Sequence, residues 1–470
     1  MSFASSVIPV SGSFEAGRPI FASSAMRAGA GRQFSRVPSP VSHARKAAAA
    51  RAREWVGGPG GGFSLTWRAV SLEPESSLSS LSPGEPHARG GADRWRSLRA
   101  RFPILARKIY LNSCSCGALA ESAAEALARY ARTRCELGSD WEAWMAQHEA
   151  LRGRLAALLA ADVDEVAVTA SASAALNAIA SALAFRGGRN RVVITDLEFP
   201  THAQIWHAQA ARGAEIVQIP SDDGGMSAGR VAAEVDGRTL LIATSSVCYR
   251  NGARLPIGEL ADIAHRNGAL LLVDDYQAIG TMRESAKEQG ADFVVGGMVK
   301  YLLGTSGIGF AYVAATLIEQ LVPTATGWLA QADIAAMDVT ANRPAGTARR
   351  FESGTPSVPS THVACAGLAL IEEAGLAAIE ERISSLTDEI KSRARNAGYR
   401  LAAPEPHGAM IALRAIDAPA LVAALASEHI VTSCRDGNLR VAAHFYNDAD
   451  DVAALFDGLR RHEHLLARAR

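Results

Sequence analysis

Lysine is scarce in this chain of 470 residues, which holds five lysines against 43 arginines. Cysteine and aromatic residues are also few, with six cysteines and 6% aromatic residues. Cysteines this sparse in a long chain exclude a disulfide scaffold and indicate reduced, intracellular thiols. The pair Cys114-Ser-Cys116 offers two ligands where structural zinc takes four, so we expect no metal site there.

The chain also lacks net charge, because 48 basic residues balance 48 acidic ones. We therefore expect neither a nucleic-acid partner nor a membrane partner. The uncharged stretch 166–185 contains Thr169, Asn177 and three serines, so it predicts a strand and an amphipathic helix instead of a transmembrane segment. A cytoplasmic location is the expectation that follows.

Residues 1–95 differ in composition from the rest of the chain. They are rich in Ala, Gly, Ser, Pro and Arg, and residues 1–53 carry eight basic residues against a single acidic one, Glu15. Such a composition buries too little apolar surface to offset the entropy of ordering, so we predict disorder. An Arg- and Ser-rich start is also typical of an organelle transit peptide. A translation start assigned too far upstream explains the same composition, and we favour that interpretation.

From Tyr110 onward, short apolar runs alternate with helical patterns. Seven runs have the composition of strands, at 165–169, 191–195, 215–219, 239–244, 269–274, 292–295 and 308–313. This alternation predicts an α/β fold with a large, mostly parallel sheet and helices on both faces. We assign residues 101–345 to this large domain.

The pattern changes after about residue 350. A long amphipathic helix is predicted over 366–397, with Gly375 as the point where it would break. Three short strands follow, near 409–413, 429–433 and 438–443. A last helix begins at Asp448, so residues 346–470 are predicted to form a smaller α+β domain.

Lys300 lies in a nearly uncharged run between Phe293 and Phe310. A buried ammonium among valines and leucines is costly unless it is paired, neutralised or covalently converted. A lysine that forms a Schiff base avoids this cost, and desolvation makes its amine a better nucleophile. The alternative for Lys300 alone is a lysine at a strand end whose ammonium reaches solvent.

Other candidate residues fall at the carboxyl ends of predicted strands, where ligands gather in open α/β sheets. Asp274 ends one strand, and another strand leads through Ala170 to Ser173 into a helix whose free N–H groups would bind an anion. Alone, such an aspartate or serine is also a common helix cap. Together, a Schiff-base lysine, a carboxylate for a pyridine nitrogen and a phosphate cradle indicate pyridoxal 5'-phosphate (PLP).

Further segments across about 108–465 complete a recognisable order. Asp274 is followed 26 residues later by Lys300 and then by Gly304-Thr-Ser-Gly-Ile-Gly309. The other segments are 110–112, 169–173, 198–201, 245–252, 350–356, 439–441 and 444–447. In this combination the sequence resembles the class V aminotransferases, which include cysteine desulfurases, kynureninases and isopenicillin N epimerase-like enzymes. The resemblance implies a PLP-dependent transferase of fold type I.

The resemblance also implies roles for single residues around the PLP ring. Lys300 would hold the cofactor and then move the α-proton of the substrate. Asp274 would pair with the pyridinium nitrogen, and Gln277 would hydrogen-bond the ring 3-oxygen. Phe199 would stack on the ring.

At the cofactor phosphate, Ala172 and Ser173 would present N–H and hydroxyl groups. Thr355 would reach the phosphate of a neighbouring subunit, which implies a homodimer. Arg440 would bind the carboxylate of the amino-acid substrate through a bidentate contact. The alternative for this arginine is an ordinary surface position on a strand edge.

Asn112 and Ser246 are further candidates on the substrate side by the same resemblance. The sequence departs from the family pattern beside Lys300. Desulfurases and many relatives carry Ser-x-His directly before the lysine, where both side chains assist phosphate binding, and this chain has Gly297 and Val299 there. Weaker cofactor retention is therefore expected. A cofactor-free α/β binding protein is the alternative from another functional class.

The resemblance leaves the reaction open among transamination, β-elimination and epimerisation of an α-amino acid, which share an aldimine and a quinonoid. Desulfurases need a mobile cysteine on a long loop ahead of the carboxylate-binding arginine. Here only the compact turn from Ser433 to Leu439 precedes Arg440, so Cys434 is predicted to be a strand-end residue. Cysteine desulfurase or selenocysteine lyase activity is the alternative.

Overall fold

The computed structural model describes residues 90–283 and 285–469. The helices are α1 (Gly90–Arg99), α2 (Glu121–Leu137), α3 (Trp141–Leu158), α4 (Ala172–Ala182), α5 (Pro200–Ala208), α6 (Ala228–Ala232), α7 (Ile257–Arg266), α8 (Ala315–Ile318), α9 (Val358–Ala374), α10 (Leu376–Asn396), α11 (Ala418–Ser427) and α12 (Ala449–Arg461). The strands are β1 (Ile109–Tyr110), β2 (Val166–Thr169), β3 (Arg191–Thr195), β4 (Glu215–Ile219), β5 (Thr239–Ser245), β6 (Leu270–Asp274), β7 (Phe293–Gly297), β8 (Gly309–Val313), β9 (Met410–Arg414), β10 (Ile430–Val431), β11 (Ser433–Arg435) and β12 (Asn438–Ala442).

Strands β2 to β8 form one seven-stranded sheet with the order β2-β8-β7-β6-β5-β3-β4. Strands β3 to β7 run parallel to one another, and β8 lies antiparallel between β2 and β7. Each of the seven predicted strands is present, with ends within two residues of the prediction. The predicted α/β fold with a mostly parallel sheet is confirmed.

The sheet is buried on both faces. Successive residues of a strand point to opposite sides, so neighbours in β3 enter different hydrophobic clusters. Val193 packs in a cluster with Leu260 of α7, whereas Val192 packs in another with Trp206 of α5. Helices therefore cover both faces, which explains why the strands are apolar throughout instead of alternating.

A second, three-stranded antiparallel sheet has the order β11-β12-β9, and β1 pairs in parallel with β10. The predicted break at Gly375 is present, where φ is +72°. Helix α9 begins at Val358, eight residues before the predicted start, with Pro359 in its first turn. Proline suits that turn because an N–H there has no helical partner to lose. The domain boundary between residues 345 and 346 stays a prediction.

Helix α1 begins inside the predicted N-terminal extension, whose first 89 residues lie outside the described part of the chain. Arg99 donates to both carboxylate oxygens of Asp451, at 2.7 and 2.9 Å. Arg94 donates to the carbonyl of Ala374 at the end of α9, at 2.8 Å. The packed fold therefore includes residues before the predicted boundary at residue 95.

No single helix within the described ranges is both long and apolar enough to span a membrane. Helices α9 and α10 reach that length and composition only as a pair, and they are bent by 80° at their junction.

Candidate active site

A cavity of about 280 Å³ lies at the carboxyl ends of β5 and β6, beside the N-terminus of α4. We refer to it as the site cavity. Six of the ten predicted site residues line it: Ala172, Ser173, Phe199, Asp274, Gln277 and Lys300. The parallel strands bring these residues together because their carboxyl ends meet at one edge of the sheet.

Lys300 follows β7 and is largely buried in the cavity wall. Its Nζ lies 4.1 Å from the ring centre of Tyr276 and 5.7 Å from that of Phe199. Burial lowers the pKa of Lys300 to about 8, although the charge of Asp274 opposes this shift. Near neutral pH a useful fraction of the amine is therefore uncharged, which is the form that attacks a carbonyl carbon.

Asp274 is the last residue of β6, and its carboxylate is buried. Its Oδ1 accepts a hydrogen bond from the backbone N–H of Tyr276 at 3.1 Å. Burial raises the pKa of Asp274 above its ordinary value, and the charges of His202 and Lys300 oppose the shift. A carboxylate beside two cations is suited to accept a hydrogen bond from a protonated ring nitrogen.

A buried ion pair beside Asp274 was missed by sequence reasoning. His202 Nδ1 lies 2.9 Å from Glu198 Oε2, and both side chains are fully buried. Burial opposes both charges, but their attraction dominates, so the pKa of Glu198 is lowered and that of His202 is raised. The spacing Glu-x-x-x-His at the start of a helix is the sequence signal that could have revealed this pair.

The two members of the pair have different surroundings. The Glu198 carboxylate also accepts hydrogen bonds from three hydroxyls, those of Thr195 at 2.6 Å, Thr244 at 3.1 Å and Ser245 at 2.6 Å. The His202 ring lines the site cavity, and its Nε2 has no hydrogen-bond partner among the described residues. Glu198 is thus fully bonded, whereas His202 keeps one polar atom for a ligand or for Asp274.

Gln277 is fixed at the opposite wall of the cavity. Its Nε2 donates to the backbone carbonyl of Cys114 at 3.0 Å. Its Oε1 is buried and has no partner within the described part of the chain. The amide nitrogen carries a second N–H, which is the donor that the predicted bond to the ring oxygen requires.

The N-terminus of α4 forms the far end of the cavity. Ser171 caps the helix, since its Oγ accepts the N–H of Ala174 at 3.1 Å. The N–H groups of the first helical turn have no partner within the helix, so those of Ala172 and Ser173 are free to bind an anion. This end of the cavity has the character predicted for a phosphate cradle.

Ser246 does not line the cavity, and its neighbour Ser245 does. The Ser246 hydroxyl donates to Asp275 Oδ1 at 2.6 Å, on the other side of the strand end. Side chains alternate along a strand, so a shift of one residue reverses the face. In this structure Ser246 therefore holds Asp275 instead of lining the cavity, and its substrate-side role stays a prediction.

Arg440, on β12, is buried near the cavity without lining it. It donates to the carbonyl of Tyr249 at 2.8 Å and to the hydroxyls of Ser115 and Ser433, both at 2.9 Å. Its Nε has no partner among the described residues. Its charge adds to the lowering of the Lys300 pKa by burial, which indicates proximity to the lysine.

Asn112 and Thr355 also lie outside the lining of the site cavity. Asn112 pairs through its backbone with Ala442, and its Oδ1 lies 3.9 Å from Cys114 Sγ. Thr355 lines a separate small cavity together with Thr169, which precedes α4 in sequence. The structure therefore gathers the predicted PLP-binding residues except Thr355, and leaves the predicted substrate residues around the cavity.

Cys434 lies in the short strand β11, which turns back tightly into β12. The turn consists of Asp436 and Gly437, with φ values of +52° and +69°. Ser433 pairs with Arg440 and hydrogen-bonds it, so the next residue, Cys434, points to the opposite face of the sheet. The compact turn predicted from sequence is present, and it directs the Cys434 thiol away from the arginine.

Two further thiols lie closer to the lysine. Cys114 is buried and Cys116 is exposed, both as free thiols. Their segment is held against the lysine segment, because the N–H of Gly117 donates to the carbonyl of Val299 at 2.8 Å. Residues 90–283 and 285–469 contain no group of three or more His, Cys, Asp or Glu side chains arranged to hold a metal ion.

Comparison with known proteins identifies the family. The sequence pattern of "Aminotransferase class-V" matches residues 119–455. The chain belongs to the class V aminotransferase family. As a member of this family it is a PLP-dependent enzyme that acts on an amino acid.

Curated relatives of this class V enzyme carry several names. An "Uncharacterized aminotransferase YcbU" from Bacillus subtilis is 33% identical over 362 residues, which is 76% of this chain and 95% of that protein. A kynureninase from Deinococcus radiodurans is 30% identical over 66% of this chain and 77% of its own length.

Solved structures share the fold. The apo structure of a cysteine desulfurase from Thermococcus onnurineus NA1 superposes with a TM-score of 0.70 at 21% identity, covering 78% of this chain and 97% of its own. The site cavity of this class V enzyme fits PLP, because it combines a lysine with a lowered pKa, a buried carboxylate and a helix N-terminus. Among the described residues, His202 Nε2 at the cavity wall is a buried polar atom without a hydrogen-bond partner.

Proposed function

We propose that this class V enzyme is an aminotransferase that moves the α-proton of an amino acid with Lys300 as the base. The observation that carries the proposal is the Lys300 amine in the site cavity with a pKa of about 8. The relationship to an aminotransferase at 33% identity supports transamination over the other branches.

Each ring-side residue has a distinct task in this proposal. PLP, when bound, supplies an electron sink conjugated to the substrate α-carbon. Lys300 holds the cofactor and, in its neutral form, accepts the α-proton. Asp274 holds a proton at the ring nitrogen, and Phe199 covers the ring face beside Tyr249, whose ring centre lies 5.1 Å from its own.

Arg440 is proposed to bind the substrate carboxylate. The hydroxyls of Ser115 and Ser433 hold one end of its guanidinium, and Nε has no partner within residues 90–283 and 285–469. Arg440→Lys keeps the charge but loses the planar fork, so KM for the amino acid should rise about tenfold. The PLP absorbance spectrum should not change.

The matched control is Arg435→Lys, because Arg435 is an exposed arginine of the same hairpin. It should leave KM unchanged. An Arg440→Lys enzyme with wild-type KM would contradict the carboxylate role.

Thr355 is proposed to reach the PLP phosphate of a neighbouring subunit, so the active form would be a homodimer. Its place outside the site cavity of its own chain supports this assignment. Thr355→Ala should weaken PLP binding without changing the sedimentation of the dimer. A fully active monomer in sedimentation experiments would contradict the proposal. The cytoplasmic location stays a prediction from composition.

The test of the reaction is a panel of amino acids incubated with the PLP-loaded enzyme. Cofactor absorbance, keto acid, alanine, sulfide and racemised product are measured in parallel. We expect a keto acid in step with amination of the cofactor, and full activity only after a second keto acid is added. Racemisation or sulfide without keto acid would reject transamination. A protein that stays colourless with added PLP would favour the cofactor-free binding protein.

Cysteine desulfuration is the second candidate, and the nearby thiols favour it. Several relatives are named as probable cysteine desulfurases, one of them 30% identical. Cys116 is exposed beside the lysine segment, whereas Cys434 faces away from Arg440. Although Cys116 is exposed as a residue, partial desolvation of its thiol raises its pKa, which disfavours the thiolate that would accept a persulfide. Sulfide release that depends on Cys116 and not on Cys434 would support this candidate.

A further inference from the structure

Tyr276 fills the space that a side chain at position 297 would need. A Cβ added to Gly297 would lie 2.5 Å from Tyr276 Oη and 2.6 Å from its Cζ. Real Cβ atoms do not approach other heavy atoms so closely. The phenol of Tyr276 and a side chain at position 297 would therefore occupy the same space, so only one of them can be present.

This volume lies next to the N-terminus of α4. Gly297 pairs directly with Gly309 across β7 and β8. A Cβ on Gly309 would lie 2.5 Å from the backbone nitrogen of Ala172. Directly paired residues present their side chains on the same face of a sheet. The Tyr276 hydroxyl and the start of α4 are consequently neighbours on one face.

Both features also belong to one cavity, since Tyr276, Ala172 and Ser173 line it. The first helical turn contributes free N–H groups there, and an anion bound to them would lie within reach of the phenol. The Tyr276 ring also lies beside Lys300, whose Nζ is 4.1 Å from the ring centre.

The phenol has the right chemistry to donate to an anion. Burial raises the pKa of Tyr276 to about 12, although a hydrogen bond from the backbone of Val299 opposes the shift. The hydroxyl therefore keeps its proton across the physiological range. A neutral hydroxyl donates to a phosphate oxygen without adding charge to the site.

We propose that the Tyr276 hydroxyl donates a hydrogen bond to the PLP phosphate and replaces the side chain that Gly297 lacks. This inference rests on the proposed function, because it takes the start of α4 as the phosphate site. The sequence lacks a phosphate-binding side chain at Gly297. In this proposal Tyr276, which follows the neighbouring strand, supplies the missing contact.

Tyr276→Phe is the direct test, because it removes one oxygen and keeps the ring. The dissociation constants of the apoenzyme for PLP and for pyridoxal, which lacks the phosphate, are measured by absorbance and fluorescence. We expect the constant for PLP to rise about tenfold and that for pyridoxal to stay the same. Inorganic phosphate should also compete less well with PLP in the variant. Equal ratios of the two constants in variant and wild type would overturn the inference.

A swap of the two positions provides an independent check. Tyr276→Ala opens the volume, and adding Gly297→Ser places a hydroxyl in it from the other side. The double variant should bind PLP more tightly than Tyr276→Ala alone, by about tenfold, and no gain would contradict the inference. Tyr130→Phe, at a half-buried tyrosine of α2 away from the cavity, controls for loss of a phenol hydroxyl and should change neither constant.

Failure of this inference can be distinguished from failure of the proposed function. If the wild-type apoenzyme binds PLP no more tightly than pyridoxal, the start of α4 is not the phosphate site and the proposed function loses its cofactor assignment. If wild type and Tyr276→Phe both prefer PLP to the same extent, only the role of Tyr276 is rejected.

Discussion

The two ends of the site cavity are built from different kinds of residue. The ring end is lined by His202, Asp274 and Lys300, with Glu198 behind His202, and these are ionisable groups withdrawn from solvent and coupled by charge. The phosphate end is lined by Ala172, Ser173 and Tyr276, with Gly297 against the phenol, and these residues offer N–H groups and hydroxyls that carry no charge.

This difference explains which positions tolerate exchange. Removing one buried charge leaves its partners uncompensated, so the residues at the ring end determine one another. A neutral donor at the phosphate end needs only to reach the anion, and it can come from either of two strand ends. By the resemblance drawn from the sequence, Lys300, Asp274 and Gln277 match the family pattern, whereas Gly297 departs from it.

The largest effect is expected at the ring end from Lys300→Ala. The variant should lose the visible band of the PLP-loaded protein and at least about a thousandfold of its activity, because it removes both the covalent anchor and the base. Absorbance spectra and single-turnover assays measure both losses. Lys287→Ala, at a half-buried lysine that bonds the buried Glu165 and does not line the cavity, is the control and should keep the band. An unchanged band in Lys300→Ala would contradict the account.

The next largest effect, a loss of folding stability, is expected from Glu198→Gln. This variant leaves the buried His202 cation without its hydrogen-bonded counter-ion. The folded-state pKa of His202 is raised above 6.5, so its stabilising contribution is complete below pH 6.5 and is lost as pH rises through the raised value. The folded-state pKa of Glu198 is lowered below 4.5. The stability that Glu198 contributes is therefore complete above pH 4.5 and is lost in more acid solution. The pair therefore stabilises most between these two values.

The free energy of unfolding should consequently fall by about 3 kcal/mol in Glu198→Gln at pH 5.5 and by less at pH 9. Denaturant unfolding at both pH values measures the difference. Glu259→Gln, at an exposed carboxylate of α7, should change stability by no more than about 0.5 kcal/mol. A loss that is equal at the two pH values would show that the pair is not charged.

A smaller effect is expected at the phosphate end from Ser173→Ala. The variant loses one hydroxyl and keeps the backbone N–H, so the dissociation constant for PLP should rise only about threefold. Spectroscopic titration of the apoenzyme gives the value. If Ser173→Ala lost the bound PLP band as completely as Lys300→Ala, the two ends of the cavity would not differ in the way described.

The smallest effect is expected from Asp275→Asn, and it has the opposite sign. Burial raises the pKa of Asp275 to about 7, so stability falls as pH rises through the interval between 3.8 and about 7. The variant lacks this penalty and should melt about 3 °C higher than wild type at pH 8, with the gain vanishing at pH 4. The charge of Arg254 opposes the raised pKa of Asp275, and a lower melting temperature at pH 8 would mean that this attraction outweighs the cost of burying the carboxylate.

Local features of the fold could be predicted from the sequence because each depends on a short segment. The strands of the large sheet are short apolar or β-branched runs, the break at Gly375 depends on one glycine, and Asp448 caps α12 through its own side chain. The order of the strands and the antiparallel placement of β8 depend on distant pairings, which no local pattern encodes.

The site residues also divide into those that a short segment of sequence predicts and those that depend on the folded structure. Lys300 could be found from its uncharged run and Asp274 from its strand end, whereas Gln277 was named only by the family resemblance. Ser246 could not be assigned, since a shift of one residue decides which hydroxyl faces the cavity. The relation between Tyr276 and Gly297 depends on side chains from adjacent strands, and only the folded structure brings them together.

The most direct test of the account is the chemical identity of the residue that holds the cofactor. The PLP-loaded protein is reduced with borohydride, digested and mapped by mass spectrometry. The account predicts one pyridoxyl label, on Lys300, and none in Lys300→Ala. A label on any of the other four lysines, or no label on a protein that has bound PLP, would contradict it.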